Sequence, residues 1–348
     1  MPDRMIDLSS DTATRPSAEM RRFMAEAEVG DEQRGEDPTV NLLQEMVAEL
    51  MGKEMAIFLP SGTMCNAIAI KVHTQMGDEM ILDRHAHPYS SEGGGPAALA
   101  GVSSALLEGD RGVFTAEQVR DAIGGDGPHS ARSRLVSIEN TTNSGTGRVW
   151  PIEAVRAIAD VADELGLKKH MDGARLMNAV VASGISASVF TERMDTAWID
   201  LSKGLGCPVG GVLAGSREDM HWARRYKHLY GGAMRQAGII AAAGVYALRH
   251  NVERMAEDHA NAKLLAQGLS DIPGIELDVT TIETNIIHFD IAETGRGGGE
   301  FNDAITDKGA RMGGYGSNTR IRAITHLDIS RADIERTVEI VRDVVVNA

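Results

Sequence analysis

Short apolar runs alternate with helical stretches along the first two-thirds of the chain. Met55–Leu59 (MAIFL), Glu79–Asp83 (EMILD), Leu135–Ile138 (LVSI), Gly166–Met171, Thr196–Leu201 (TAWIDL) and Val209–Ala214 all have strand length. Pro16 opens a helix that runs to about Glu26. Asp37-Pro38 reads as a helix cap followed by a first-turn proline, with Val40, Leu43, Val47 and Leu50 at helical spacing behind it and Gly52 as the stop. Another helix runs from Pro60-Ser-Gly-Thr63 towards His73, and Pro151–Leu165 is amphipathic. Strands and helices alternating through short loops predict an α/β fold, a mostly parallel sheet covered by helices on both faces.

The pattern then changes. Tyr230–Gly238 opens a long helical region reaching about Leu269. From Pro273 the order becomes strand, strand, helix, strand, helix, with Ile321–Thr325 as a late strand. This predicts a smaller α+β domain. The expected division is an amino-terminal arm and helix over 1–29, a large domain over 30–245 and a small carboxy-terminal domain over 246–348. A length of 348 residues suits one large and one smaller unit. The chain is 43% hydrophobic but only 4% aromatic, so its core is expected to rely on close helix–sheet packing of small residues.

The formal net charge of −15 excludes a nucleic-acid or anionic-membrane partner from the expected functions. No apolar run reaches membrane-spanning length, and the amino terminus lacks the apolar core of a signal peptide. The two cysteines, Cys65 and Cys207, suggest neither a disulfide framework nor a zinc site, and no metal is expected. Reduced thiols in the cytoplasm are the reading.

Candidate chemistry centres on HMDGARLMNA and LSKGLGCPVGG. Asp172 and Lys203 each follow a strand, at the carboxyl edge where open α/β sheets bind ligands. A lysine amine can condense with the aldehyde of pyridoxal 5′-phosphate, and a carboxylate can keep its pyridine nitrogen protonated. Either residue alone also reads as ordinary structure, Asp172 as a helix cap and Lys203 as a solvated loop residue. Gly204, Gly206, Gly210 and Gly211 crowd around the lysine and favour a close-approaching cofactor. The junction Ser61-Gly62-Thr63 is either a phosphate cradle at a helix start or a plain capped helix.

These motifs, with GGAMRQAG, SSDTATRP, GEDPTVN, LPSGTMCN, IENTTN and IRAITH, resemble the threonine aldolase family of fold-type-I pyridoxal-phosphate enzymes. The resemblance runs from Ile6 to about Val345. It implies a lyase cleaving β-hydroxy-α-amino acids to glycine and an aldehyde. Lys203, Asp172 and His87 become the catalytic set, with His87 stacked on the pyridine ring. Ser61, Gly62, Thr63, Arg175 and Arg235 join them in holding the cofactor, and Ser10, Arg175 and Arg322 hold the substrate carboxylate. The family also implies a homo-oligomer, a dimer of dimers, in which Arg235 reaches a neighbouring subunit's phosphate at the active-site interface.

Three positions depart from the family pattern. Thr142 stands where the motif usually has histidine, Arg34 where a tyrosine is frequent before GEDP, and Ser91 where an aromatic precedes Glu92. The resemblance implies that all three lie on the substrate side-chain face. Arg34 then suits an acidic substrate such as β-hydroxyaspartate; it reads equally as a surface arginine paired with Glu36. Phenylserine as preferred substrate, and β-elimination, racemisation or transamination on the same fold, are the alternatives.

Overall fold

The computed structural model describes residues 4–125 and 127–346. Twelve strands lie in these residues: β1 Ile6–Asp7, β2 Met55–Leu59, β3 Asp78–Asp83, β4 Ser103–Leu107, β5 Arg132–Glu139, β6 Lys168–Asp172, β7 Thr196–Asp200, β8 Gly211–Gly215, β9 Ile286–Asp290, β10 Ala310–Arg311, β11 Gly313–Gly314 and β12 Arg320–Ile324.

Seven of them form one sheet in the order β2-β8-β7-β6-β5-β3-β4. Only β8 runs antiparallel, pairing with β7 on one side and β2 on the other. Every other strand therefore ends at the same edge, so five crossovers deliver their side chains to one place. The inner strands β7 and β8 are buried on both faces, as their continuous apolar runs require, and the edge strand β2 is nearly as buried. A large core joins β3, β5, β6 and β7 to the helices Pro38–Met51, Ile152–Glu164 and Gly238–His250.

A second core lies under the antiparallel sheet β11-β12-β9, packed against Met255–Ser270 and Arg331–Val346. The amino-terminal arm belongs to this body. Its β1 pairs in parallel with β10, and Ile6 and Leu8 are buried in the second core. That contact carries Ser10 and Asp11 from the arm to the sheet edge.

Several element boundaries differ from expectation. The long helical region is broken into Gly238–His250 and Met255–Ser270, and Asn251 at the break donates its side-chain amide to the Leu205 carbonyl at 2.8 Å. The first helix begins at Ala18, capped by Ser17, whose hydroxyl accepts from the Met20 amide. The last large-sheet strand starts at Gly211, because Gly210 turns the chain at φ 105°. Strand β4 lacks an apolar signature because, unlike the covered edge strand β2, it is half-exposed at the opposite edge of the sheet.

Candidate active site

The strand ends converge on a cavity of about 280 Å³. Lys203, Asp172, His87 and Arg322 all line it, as do Arg175, Ser10, Gly62 and Thr63. Lys203 sits three residues beyond β7, over the Trp198 ring at 5.8 Å, with its amine on the Asp200 carboxylate. Asp200 is itself fixed by the Ser202 amide and hydroxyl at 2.8 and 2.7 Å. Two further lysines are committed elsewhere. Lys227 is buried against Glu32 and Lys169 against Asp163.

Asp172, at the end of β6, is 1% exposed. One carboxylate oxygen accepts from the Ala174 amide at 3.0 Å and the other from the Asn66 side chain at 2.8 Å. The same Asn66 amide nitrogen reaches Glu92 at 2.7 Å, and Glu92 holds His87 Nδ1 at 2.8 Å. The Glu92 hydrogen bond raises the His87 pKa above its ordinary value. Burial raises Glu92 as well. Glu139 ends β5 directly opposite Asp172. It accepts the backbone amides of His87 and Asn143 at 2.7 and 2.6 Å. Burial, with the Asp172 charge beside it, pushes its carboxyl up to about 7.

Two arginines face the cavity in different states. Arg175 is already in a bidentate pair with Asp11. Arg322 has no carboxylate partner among the described residues. It donates to the Asn143 side-chain oxygen and the Ser9 carbonyl, and its buried Nε is unpaired. Burial, with Arg175 nearby, lowers its pKa. A desolvated cation with spare donors is poised for an anionic ligand.

The helix Gly62–His73 points its amino-terminal end at the same space. Its first residue has to be glycine, since a Cβ there would lie 2.4 Å from the Trp198 ring. A helix start, an amine and a buried carboxylate in one cavity fit the phosphate, aldehyde and ring nitrogen of pyridoxal phosphate.

Four expected site residues lie outside this cavity. Ser61 caps the helix, accepting from the Met64 amide at 3.2 Å. Arg235 is 61% exposed at its side chain and paired with Asp31. Arg34 is 73% exposed and also faces Asp31, at 3.8 Å, rather than Glu36. Thr142 is turned into a separate corner near Gly112 and Gly145, while its neighbours Thr141 and Asn143 line the cavity. The threonine hydroxyl therefore does not occupy the substrate face of this chain. Sequence reasoning missed Asp11, Asn66 and Asp200. Asp11 stands in SSDTATRP and Asn66 closes LPSGTMCN, but neither motif signals which distant side chain its polar group meets.

The family model for beta-eliminating lyases matches residues 7–292. The low specificity L-threonine aldolase of Escherichia coli K12 is 42% identical over 332 residues, which cover 95% of this chain and 96% of that protein. Low-specificity L-threonine aldolase 1 of Arabidopsis thaliana is 37% identical over 340 residues, 96% of this chain and 94% of that one. Among solved structures, a threonine aldolase of Leishmania major superposes with a TM-score of 0.82 at 19% identity, covering 98% of this chain and 99% of the other. The serine palmitoyltransferase of Sphingomonas wittichii gives 0.76 at 18% identity, covering 98% and 87%, so the two share the fold. With a catalytic-type lysine and carboxylate in one cavity and relatives matching end to end, the chain belongs to the threonine aldolase family of pyridoxal-phosphate-dependent lyases.

Proposed function

We propose that this enzyme cleaves β-hydroxy-α-amino acids of the threonine type to glycine and an aldehyde. The observation that carries this reading is Arg322, a half-buried guanidinium with a buried, unpaired Nε and no carboxylate partner among the described residues, in the cavity that holds Lys203 and Asp172. It would grip the substrate α-carboxylate, supported by Ser10 and by the Arg175 nitrogen that Asp11 leaves free.

Lys203 would carry the cofactor, Asp172 would face its ring nitrogen, and Gly62 and Thr63 would hold its phosphate. Bound there, pyridoxal phosphate supplies an electron sink for the substrate α-carbon. The side chains manage protons and orientation. His87 would take the β-hydroxyl proton, directly or through one water. Glu92 is the weaker candidate, because its oxygen Oε1 is already shared between His87 and Asn66. After the Cα–Cβ bond breaks, the Lys203 amine is the donor that returns a proton to the α-carbon. Asp200 holds that amine in place meanwhile.

The reading includes an oligomer of at least two copies. Arg235 lies outside the cavity of its own chain and would serve a neighbour's phosphate. An open hollow of about 800 Å³ beside Trp222, Tyr226 and Leu229 offers apolar surface for such packing. A cytoplasmic location agrees with two buried, unpaired cysteines. Among the described residues no helix is long and apolar enough to cross a membrane.

Borohydride reduction followed by peptide mapping tests the assignment. The label is expected on Lys203. A label on Lys169 or Lys227 would overturn it.

A further inference from the structure

We propose that Asn66 is a positioning residue for the reaction, a buried amide junction that orients Asp172 and, through Glu92, His87. The inference rests on the assignment of Asp172 to the cofactor ring nitrogen made above.

Asn66 is fully buried in the helix Gly62–His73, and each end of its amide meets two partners. On one side its Nδ2 lies 2.8 Å from Asp172 Oδ2 and 2.7 Å from Glu92 Oε1. On the other its Oδ1 lies 2.8 Å from Trp198 Nε1 and 3.1 Å from His170 Nε2. The Trp198 indole can only donate, and an ionised carboxylate can only accept. A flipped amide would set N–H against N–H at Trp198 and oxygen against oxygen at both carboxylates. One orientation alone satisfies all four contacts.

That orientation fixes the histidine behind it. Asn66 Oδ1 needs a donor at His170 Nε2, so His170 Nδ1 is the acceptor. Thr196 then donates its hydroxyl to that Nδ1 at 2.9 Å, and its oxygen accepts from His73 Nε2 at 2.9 Å. Burial keeps both imidazoles neutral, holding His170 down to about 3 and His73 to about 4. The row His73–Thr196–His170 is thus a directional brace from three elements behind one amide. A buried polar row satisfied at every member, ending on two site carboxylates, orients the groups that touch the ligand.

The test uses the holoenzyme. Asn66→Ser removes the amide from the junction. A kcat lower by roughly 10- to 100-fold at a KM within about threefold of the unsubstituted enzyme is expected. Lost activity alone would not separate positioning from structure. The deciding readout is therefore the ¹⁵N NMR signal of cofactor labelled at its ring nitrogen. Asn66→Ser should move that signal towards the unprotonated position seen in Asp172→Asn. A signal moved in Asp172→Asn but unmoved in Asn66→Ser overturns the inference alone. A signal unmoved in Asp172→Asn overturns the Asp172 assignment and the inference with it. If Asn66→Ser does not fold, the imidazole ¹⁵N shifts of His170 in the unsubstituted protein decide: the Nε2–H tautomer supports the junction, and the Nδ1–H tautomer overturns it.

Discussion

Arg175 and Asp11 meet as a buried bidentate pair, Nε on one carboxylate oxygen at 2.7 Å and Nη2 on the other at 2.8 Å. This pair ties the amino-terminal arm to the helix that follows Asp172. Burial opposes ionisation of Asp11, but the Arg175 charge outweighs it and holds the carboxyl down at about 2. A depressed carboxyl contributes stability above its ordinary pKa of 3.8 and loses it as pH falls towards 2. The contribution at neutral pH is about 2 kcal/mol. Asp11→Asn should lower the unfolding free energy at pH 7 by at least about that amount, since it also leaves a buried cation without its partner. The gap to the unsubstituted protein should narrow between pH 4 and pH 2. Denaturant melts across that range check it, and a gap independent of pH would contradict the pairing.

Arg322 should govern substrate binding through the carboxylate. Arg322→Met keeps much of the volume and removes the charge. It should reduce kcat/KM for threonine by roughly 100-fold, about 3 kcal/mol for charge-assisted hydrogen bonds lost. Arg322→Lys should restore only part, because an ammonium cannot reproduce the planar fork. Retained affinity in Arg322→Met would move the carboxylate site elsewhere.

The pH profile of kcat/KM should report His87. In the proposed mechanism its neutral imidazole accepts the proton, and Glu92 raises its pKa, so the acid limb should have a midpoint above the ordinary 6.5. Glu92→Gln removes the carboxylate that favours the charged ring. The acid limb should then shift to lower pH. An unchanged limb would show that His87 does not titrate in this step.

Thr142 makes a contrary prediction. Its buried hydroxyl has no partner among the described residues, and it packs in a corner outside the cavity. Thr142→Val should leave kcat/KM within about twofold and should not lower stability, because no hydrogen bond is lost. A large change in substrate preference would return Thr142 to the substrate face.

The sheet was legible in the sequence because buried strands read as continuous apolar runs. β2 and β7 show this plainly, whereas the half-exposed edge strand β4 shows nothing. Lys203 and Asp172 were legible because strand ends and a glycine-rich motif mark them, and His87 only through the family resemblance. Asn66 and Asp11 were not. Their importance comes from contacts made across 106 and 164 positions of chain, which local pattern does not encode. Thr142 was misjudged for a related reason. Sequence places it beside Thr141 and Asn143, but only the backbone path decides which of three neighbours faces a cavity.

The central claim is tested most directly by the products of L-threonine. Purified enzyme with pyridoxal phosphate should release glycine and acetaldehyde in equal amounts, each matching the threonine consumed mole for mole. Release of ammonia with a 2-oxo acid, or recovery of threonine with altered configuration, would contradict carbon–carbon cleavage as the reaction of this site.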